Sequence, residues 1–214
     1  MQTTFKILVS CLFCFVLPLL SGCGSSGSSA PILTPAEQAE VDKIIAEEGR
    51  DALRYYLEHW NPASGNTDEK LALKYVKYFV SQGANVNARD EDDYTPLHYA
   101  AALGSADMVK FLVSQGAIFN YVTEGKRGMD APLHYAVLSG NTDMVKFLVS
   151  KGADINVKDG WGYTPLDIAL GESTNRRVVV GTMRFFDSEE RRKNRCAAIA
   201  KYLSSIGAKS GKDK

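Results

Sequence analysis

The side chains that could do chemistry are few, and they lie far apart in this chain. His98 and His134 are 36 residues apart, and neither has a cysteine or a third ligand nearby, which makes a poor metal site. The acidic run at 90–93 could bind a cation, but at a turn it is more simply a solvated surface. The sequence has no glycine-rich phosphate loop, no HExxH pattern and no CxxC pair spaced for a metal. These observations predict a protein that is not an enzyme and has no metal and no cofactor.

Two motifs recur in register along the chain. The first reads TPLHYAA at 95–101, APLHYAV at 131–137 and TPLDIAL at 164–170. The second reads YVKYFVSQGA at 75–84, MVKFLVSQGA at 108–117 and MVKFLVSKGA at 144–153. Successive copies are 33 or 36 residues apart. One helix pair of this length cannot bury its apolar face alone, so the period predicts a stack of repeats.

The residues TPLH and GADIN in these motifs resemble the ankyrin-repeat family over roughly 68–208. The resemblance implies an all-α fold, an ankyrin-repeat solenoid of about four helix-turn-helix repeats with short hairpin loops and divergent terminal caps. We expect this domain to span 36–208. The resemblance also implies that His98 and His134 are structural and tie adjacent loops together, while Asp167 replaces the histidine in the last repeat.

The residue types within each motif fit this fold. Threonines are placed to cap a short helix, and a proline follows at the first helical position. Gly116, Gly152 and Gly207 lie where a left-handed helix C-cap is expected. Leu133 and Leu148 are predicted to be buried between neighbouring repeats.

The last unit carries an insertion. Pro165 and Gly207 are 42 residues apart, whereas the matching distance in the two preceding units is 20. About 22 extra residues, roughly 172–194, therefore separate the last two helices. Insertions in repeat proteins map to loops and often mark the binding side. The insertion is rich in arginine, and Arg191 is predicted to lie on the rim of a binding surface.

The first residues of the chain form a segment that is separate from the repeats. The apolar stretch before residue 21 is too short for a comfortable membrane span and is typical of a secretory signal, predicted at 1–22. It ends in Leu-Ser-Gly-Cys, which resembles the lipobox of bacterial lipoproteins and implies that Cys23 is acylated. An ordinary signal peptide with an incidental Cys23 is the alternative. Residue Gly24 is not aspartate, which by the same resemblance favours the outer membrane, facing the periplasm, over the inner one.

The remaining ends of the chain lack core-forming residues. The Gly/Ser-rich segment 23–35 is predicted to be a flexible tether, and 209–214 a disordered tail. The 25 basic residues balance the 25 acidic ones, so nothing indicates a nucleic-acid partner. Cys196 is the one cysteine of the predicted folded part and is interpreted as a buried helix residue. We expect a monomer.

A partner surface follows from the resemblance. Ankyrin stacks expose variable residues at their hairpin tips and inner helices. By resemblance, these positions map here to Glu91, Asp92 and Tyr94, to Asp130, Leu138 and Ser139, and to Gly160, Trp161 and Tyr163. The aromatic residues at the tips are candidate interface anchors. The alternative for Trp161 is that it packs sideways on a neighbouring tip.

The sequence therefore predicts a non-catalytic, protein-binding lipoprotein of the bacterial cell envelope that inhibits or stabilises a periplasmic protein. An immunity protein that neutralises an antibacterial toxin is an alternative within this class. An enzyme or a metal-binding protein that uses the 172–194 insertion is the alternative from a different class.

Overall fold

The computed structural model describes residues 33–60, 68–124, 130–171, 179–180, 183–184 and 189–211. The predicted signal peptide, Cys23 and most of the predicted tether lie outside these residues. Within the insertion, the structure describes the backbone of the short strands and of the final helix but not their side chains before residue 196.

Nine α-helices lie in the described residues. The first three are α1 (Pro35–Glu48), α2 (Ala52–His59) and α3 (Glu69–Ser81), with a single 3-10 turn, Gly49–Asp51, between α1 and α2. The next four are α4 (Pro96–Ala102), α5 (Ala106–Ser114), α6 (Pro132–Ser139) and α7 (Thr142–Ser150). The last two are α8 (Pro165–Ala169) and α9 (Glu189–Ser205). Between them, strand β1 (Val179–Val180) pairs antiparallel with strand β2 (Met183–Arg184).

The helices form two rows. The inner row is α2, α4, α6 and α8, and the outer row is α3, α5, α7 and α9; each helix contacts the next in its row and its partner in the other row. Helix α1 packs on α2 and α3 and closes the first repeat. This arrangement confirms the predicted all-α solenoid of about four helix pairs with a divergent start. The two short strands lie in the predicted insertion.

Side-chain caps explain where the outer helices begin. Asp68 Oδ1 accepts hydrogen bonds from the backbone N–H groups of Lys70 (2.9 Å) and Leu71 (3.2 Å). Asn141 Oδ1 accepts one from the Met144 N–H (3.1 Å). Both caps satisfy donors that have no partner in the first helical turn. The side chains of Asp68 and Asn141 therefore set the start of these two outer helices.

The core runs without interruption through all four repeats. Leu133 and Leu148 are 1% and 0% exposed, which confirms their predicted burial between repeats. Cys196 is buried as well, and its thiol contacts the Val137 carbonyl oxygen at 3.6 Å. This burial confirms its interpretation as a packed helix residue.

Asparagines join each repeat to the next. Asn87 donates to the carbonyl oxygen of Gly116 (3.0 Å) and accepts from the N–H of Ile118 (2.9 Å). Asn120 bonds in the same way to the carbonyl of Gly152 (3.1 Å) and to the Asp154 N–H, one repeat later. Each amide thus satisfies groups at the C-terminal end of an outer helix.

The last repeat uses the same device on the end of the described chain. The Lys209 N–H donates to Asn156 Oδ1 (2.7 Å), and the Thr164 hydroxyl donates to the Lys209 carbonyl (2.9 Å). The Gly211 N–H donates to Asp167 Oδ2 (2.8 Å), at a close approach to Gly162 that leaves no room for a side chain. The expectation of a disordered tail from 209 onward does not describe residues 209–211; 212–214 lie outside the described residues.

Candidate protein-binding surface

Two hairpin tips share one turn geometry. Asp90 Oδ1 accepts from the N–H groups of Asp92 (2.9 Å) and Tyr94 (2.8 Å). Asp159 Oδ1 accepts from those of Trp161 and Tyr163, both at 2.8 Å. Because a carboxylate holds two backbone donors in each turn, the first residue of each tip fixes the backbone of that tip.

Trp161 is the large apolar side chain that stands out of this surface. It is 59% exposed, and glycines flank it on both sides. Its backbone is held by Asp159, so the indole is presented from a fixed turn. In the earlier tip, Asp92 occupies the position that matches Trp161 and is half-buried, and Glu91 just before it is exposed.

Tyr94 is a core residue, and its prediction as a partner contact is wrong. Its side chain is 2% exposed. The ring makes edge contacts with His98, Tyr99 and Tyr135 at centroid distances of 5.7, 6.2 and 5.9 Å. The residue before the capping threonine therefore points between two repeats whenever the next repeat supplies rings to receive it.

Asp130 occupies the position of Tyr94 one repeat later, and it too is buried, at 2% exposure. Its Oδ2 accepts from the Tyr135 hydroxyl (2.8 Å), and its N–H donates to Thr123 Oγ1 (3.0 Å). Burial, together with the nearby Asp130 charge, raises the pKa of Tyr135. The prediction of Asp130 as a partner contact is wrong because this carboxylate satisfies a buried hydroxyl.

Asp93 is held in a conformation that favours glycine. Its φ is 72°, and the matching residue of the later tip is Gly162, with φ 83°. The Asp93 carboxylate accepts from the Tyr121 hydroxyl (2.6 Å) and the Glu124 N–H (2.9 Å), and pairs with Arg89 at 3.2 Å. Burial alone would raise its pKa, but these partners outweigh burial and lower it. Backbone strain is thus offset by bonds that fasten one tip to the next repeat.

His98 is fixed as a neutral imidazole. Its Nδ1 accepts from the Thr95 N–H (3.1 Å), and its Nε2 donates to the Asp130 carbonyl (3.2 Å). His134 makes the equivalent bonds with Ala131 and Val157. Burial lowers the pKa of His98 to about 4, against a weaker opposing effect of the Asp130 carbonyl. The histidines join adjacent loops, as the sequence predicted.

Asp167 replaces this histidine in the last repeat. Its Oδ2 accepts from the N–H groups of Thr164 and Gly211, both at 2.8 Å, and lies 2.9 Å from the Thr164 hydroxyl oxygen. Burial would raise its pKa, but these hydrogen bonds outweigh burial and lower it. The carboxylate therefore replaces imidazole where the next partner is a backbone N–H rather than a carbonyl.

Among the described residues, no group of three or more histidine, cysteine or acidic side chains is arranged to hold a metal ion. In the same part of the chain, no helix is both long enough and apolar enough to cross a bilayer.

Comparison with known families agrees with this geometry. The model for ankyrin repeats matches three overlapping segments, residues 43–123, 69–159 and 125–179. The chain belongs to the ankyrin-repeat family. Its paired rows of helices, hairpin tips and structural histidines are thus those of an ankyrin stack.

Similar proteins share only part of this ankyrin chain. Human ankyrin repeat domain-containing protein 49 is 50% identical over 56 residues, which are 26% of this chain and 23% of that protein. Protein phosphatase 1 regulatory subunit 27 of Mus musculus is 57% identical over 45 residues, 21% and 29% of the two chains. Protein fem-1 homolog C of Danio rerio is 41% identical over 49 residues, which are 23% of this chain and 8% of that protein. The chain spans under a third of each relative's length.

The other predicted contact residues divide by position in the ankyrin stack. Leu138 and Tyr163 are half-buried against the core, and Ser139 is half-buried with its hydroxyl donating to the Ala136 carbonyl (2.8 Å). Gly160 is exposed beside Trp161. Arg191 lies on α9, and its side chain is outside the described residues, as is Cys23.

Sequence reasoning missed Asp93 and its partner Tyr121. The signal was present in the two tips, which read DEDDYTP and DGWGYTP, because Asp93 stands where Gly162 recurs. An aspartate at a position that requires positive φ indicates a compensating contact.

Proposed function

We propose that this ankyrin protein binds another protein through the edge formed by its hairpin tips, with Trp161 as the anchor. The observation that carries the proposal is a tryptophan 59% exposed on a turn whose backbone is already satisfied. A side chain on a pre-formed turn loses little conformational freedom on binding, and tryptophan is favoured at interface hot spots. The acidic tip that carries Glu91 supplies a charged rim to steer the partner.

The role we propose is to inhibit or stabilise the bound protein without catalysis. One similar protein is, by its name, a regulatory subunit of a phosphatase, which supports a part in modulating another protein. The matched segment is 29% of that relative, so the phosphatase itself is not carried over to this chain.

The binding proposal is tested by Trp161→Ala, compared with Ile118→Ala as a matched control. Ile118 is 53% exposed on a loop outside the hairpin tips, so its replacement removes an exposed apolar side chain away from the proposed site. The partner is first captured from envelope extract and identified, and each variant is then titrated against it by calorimetry. Trp161→Ala is expected to weaken binding by about 2 kcal/mol or more, the usual threshold for a hot spot. Equal affinities for the two variants would remove the hairpin edge as the binding site.

We also propose that the chain is a lipoprotein of the bacterial envelope, anchored by acylated Cys23 and facing the periplasm at the outer membrane. The apolar stretch that ends in Leu20-Ser21-Gly22-Cys23 supports this proposal. Cys23→Ser is expected to leave the protein unprocessed or mislocalised, because acyl chains on this cysteine provide the stable attachment. A Cys23→Ser protein that still fractionates with membranes after a salt wash would contradict the lipid anchor.

A further inference from the structure

Helix α4 is buried on all of its residues, from Pro96 to Ala102. Helices α2 and α6 flank it along the inner row, and α5 lies behind it in the outer row. A helix of the inner row with only these three neighbours would leave its concave side in water. Helix α8 is buried on all of its residues as well, and there the Gly211 backbone supplies a contact beyond its helix neighbours.

The covering on the fourth side comes from the insertion. Strand β1 lies with Cα atoms within 8 Å of α4. In the chain, β1 follows α8, which stands two repeats farther along the inner row. The backbone thus returns across the stack to α4 before it enters α9, which contacts α6 as well as α7 and α8.

Comparison of matched positions gives an independent indication. Ala102 and Leu138, near the ends of α4 and α6, are equivalent in the repeat register to Gly171, which lies two residues after the end of α8. Leu138 and Gly171 are partly exposed, whereas Ala102 is only 3% exposed. The side chain of Ala102 is smaller than that of Leu138. Burial at this position is specific to the repeat against which β1 lies.

We infer that the inner face of α4 is a docking site for an extended polypeptide segment, and that strand β1, which is paired with β2, occupies it within the same chain. Helix α4 ends in small side chains, Ala100 to Ala102, and small side chains let a neighbouring backbone approach closely. The occupant is extended, since Val179 pairs with Arg184 and Val180 with Met183 in an antiparallel ladder. Extended segments are a recurrent class of ligand for preformed protein surfaces.

This occupancy divides the ankyrin stack into two surfaces. The inner face at α4 is filled, whereas the tip that carries Trp161 remains exposed. A partner that needed the inner helices would have to displace the hairpin, while one that binds the tip would not. The inference is independent of the partner proposed above, because each test uses only this chain and its own segment.

The first test is the reactivity of a thiol placed under the hairpin. Ala102→Cys is made in the full chain and in a chain whose residues 173–193 are replaced by a short Gly/Ser link. Maleimide labelling at position 102 is followed by mass spectrometry of the peptide that carries it, which separates it from the natural cysteines. Labelling is expected to be slower in the full chain by about tenfold or more, because it requires local opening. Ser114→Cys, exposed on α5, is the control and is expected to react equally in both chains.

The second test supplies the segment in trans. A synthetic peptide of residues 173–193 is expected to bind the deleted chain and to slow the labelling of its thiol at position 102, and to leave the full chain unaffected. Urea melts establish that the deleted chain is folded. Where deletion unfolds it, Val179→Gly/Val180→Gly in the full chain replaces it and is expected to accelerate labelling at position 102. Equal labelling of the full and altered chains, with no protection by the peptide, would overturn the inference.

Discussion

Lowering the pH from 7.5 to 5 is expected to destabilise the folded chain by about 2 kcal/mol through His98 alone. The folded pKa of His98 is lowered to about 4 from 6.5 by burial. At pH 5 the unfolded chain therefore holds a proton that the folded chain does not, and protonation favours unfolding. The contribution of neutral His98 to the free energy of unfolding is complete above pH 6.5. It declines as the pH falls and is lost by about pH 4.

The magnitude follows from the difference of about 2.5 pKa units between the two states, which corresponds to about 3 kcal/mol when integrated fully. At pH 5 about two thirds of this stabilising free energy has been lost, because the histidine of the unfolded chain is by then almost fully protonated. The carboxylates of Asp130 and Asp93 face the same site and partly favour the charged imidazole, an effect already contained in the lowered value.

The assay is urea unfolding followed by circular dichroism at half-unit intervals between pH 7.5 and 5. His98→Gln is the matched variant, because glutamine is polar and does not titrate. It is expected to be less stable than the parent at pH 7.5 and to show a flatter pH dependence. His134→Gln is made in parallel, because His134 has the same pair of loop contacts. An unfolding free energy that is constant over this range, or an unchanged slope in His98→Gln, would refute the argument.

The remaining predictions concern the stack and the first hairpin tip. Leu148→Ala is expected to cost about 2–5 kcal/mol in urea melts, because it opens a cavity between fully buried neighbours; a loss below about 0.5 kcal/mol would contradict its place in the core. Asp93→Gly is expected to destabilise by about 1 kcal/mol, because the lost bonds to Tyr121 and Glu124 outweigh relief of the positive φ. Gly162→Ala at the matching position is expected to cost about 1 kcal/mol from strain alone. If Asp93→Gly stabilised the chain instead, the backbone strain at position 93 would exceed the contribution of the lost hydrogen bonds.

The repeat motifs predicted the helices and the core because the spacing of their apolar residues, prolines and glycines is set by local geometry. Leu133 and Leu148 could be placed in the core from their register alone. The three linking asparagines recur at the same spacing, 33 and 36 residues, so their role could also have been predicted. They were missed because the repeats were recognised by their apolar residues, and a single polar residue adds nothing to that pattern.

The site was harder to predict because exposure depends on what the neighbouring repeat supplies. Tyr94 occupies a variable tip position, yet the rings of His98 and Tyr135 enclose it. Trp161, next to a matching tip position in the last described repeat, is 59% exposed. The path of the insertion toward α4 depends on contacts between segments far apart in sequence, which no local pattern specifies.

The asparagine links have a mechanical consequence. The side chains of Asn87, Asn120 and Asn156 each bond to the loop of the following unit, so the links lie in series along the stack. A pulling force applied at the two ends passes through every junction in turn, and at each junction the asparagine shares it with the histidine bonds and the packed core. The stack is therefore expected to rupture first at its weakest junction and then to unfold one repeat at a time under force, rather than as a single cooperative unit.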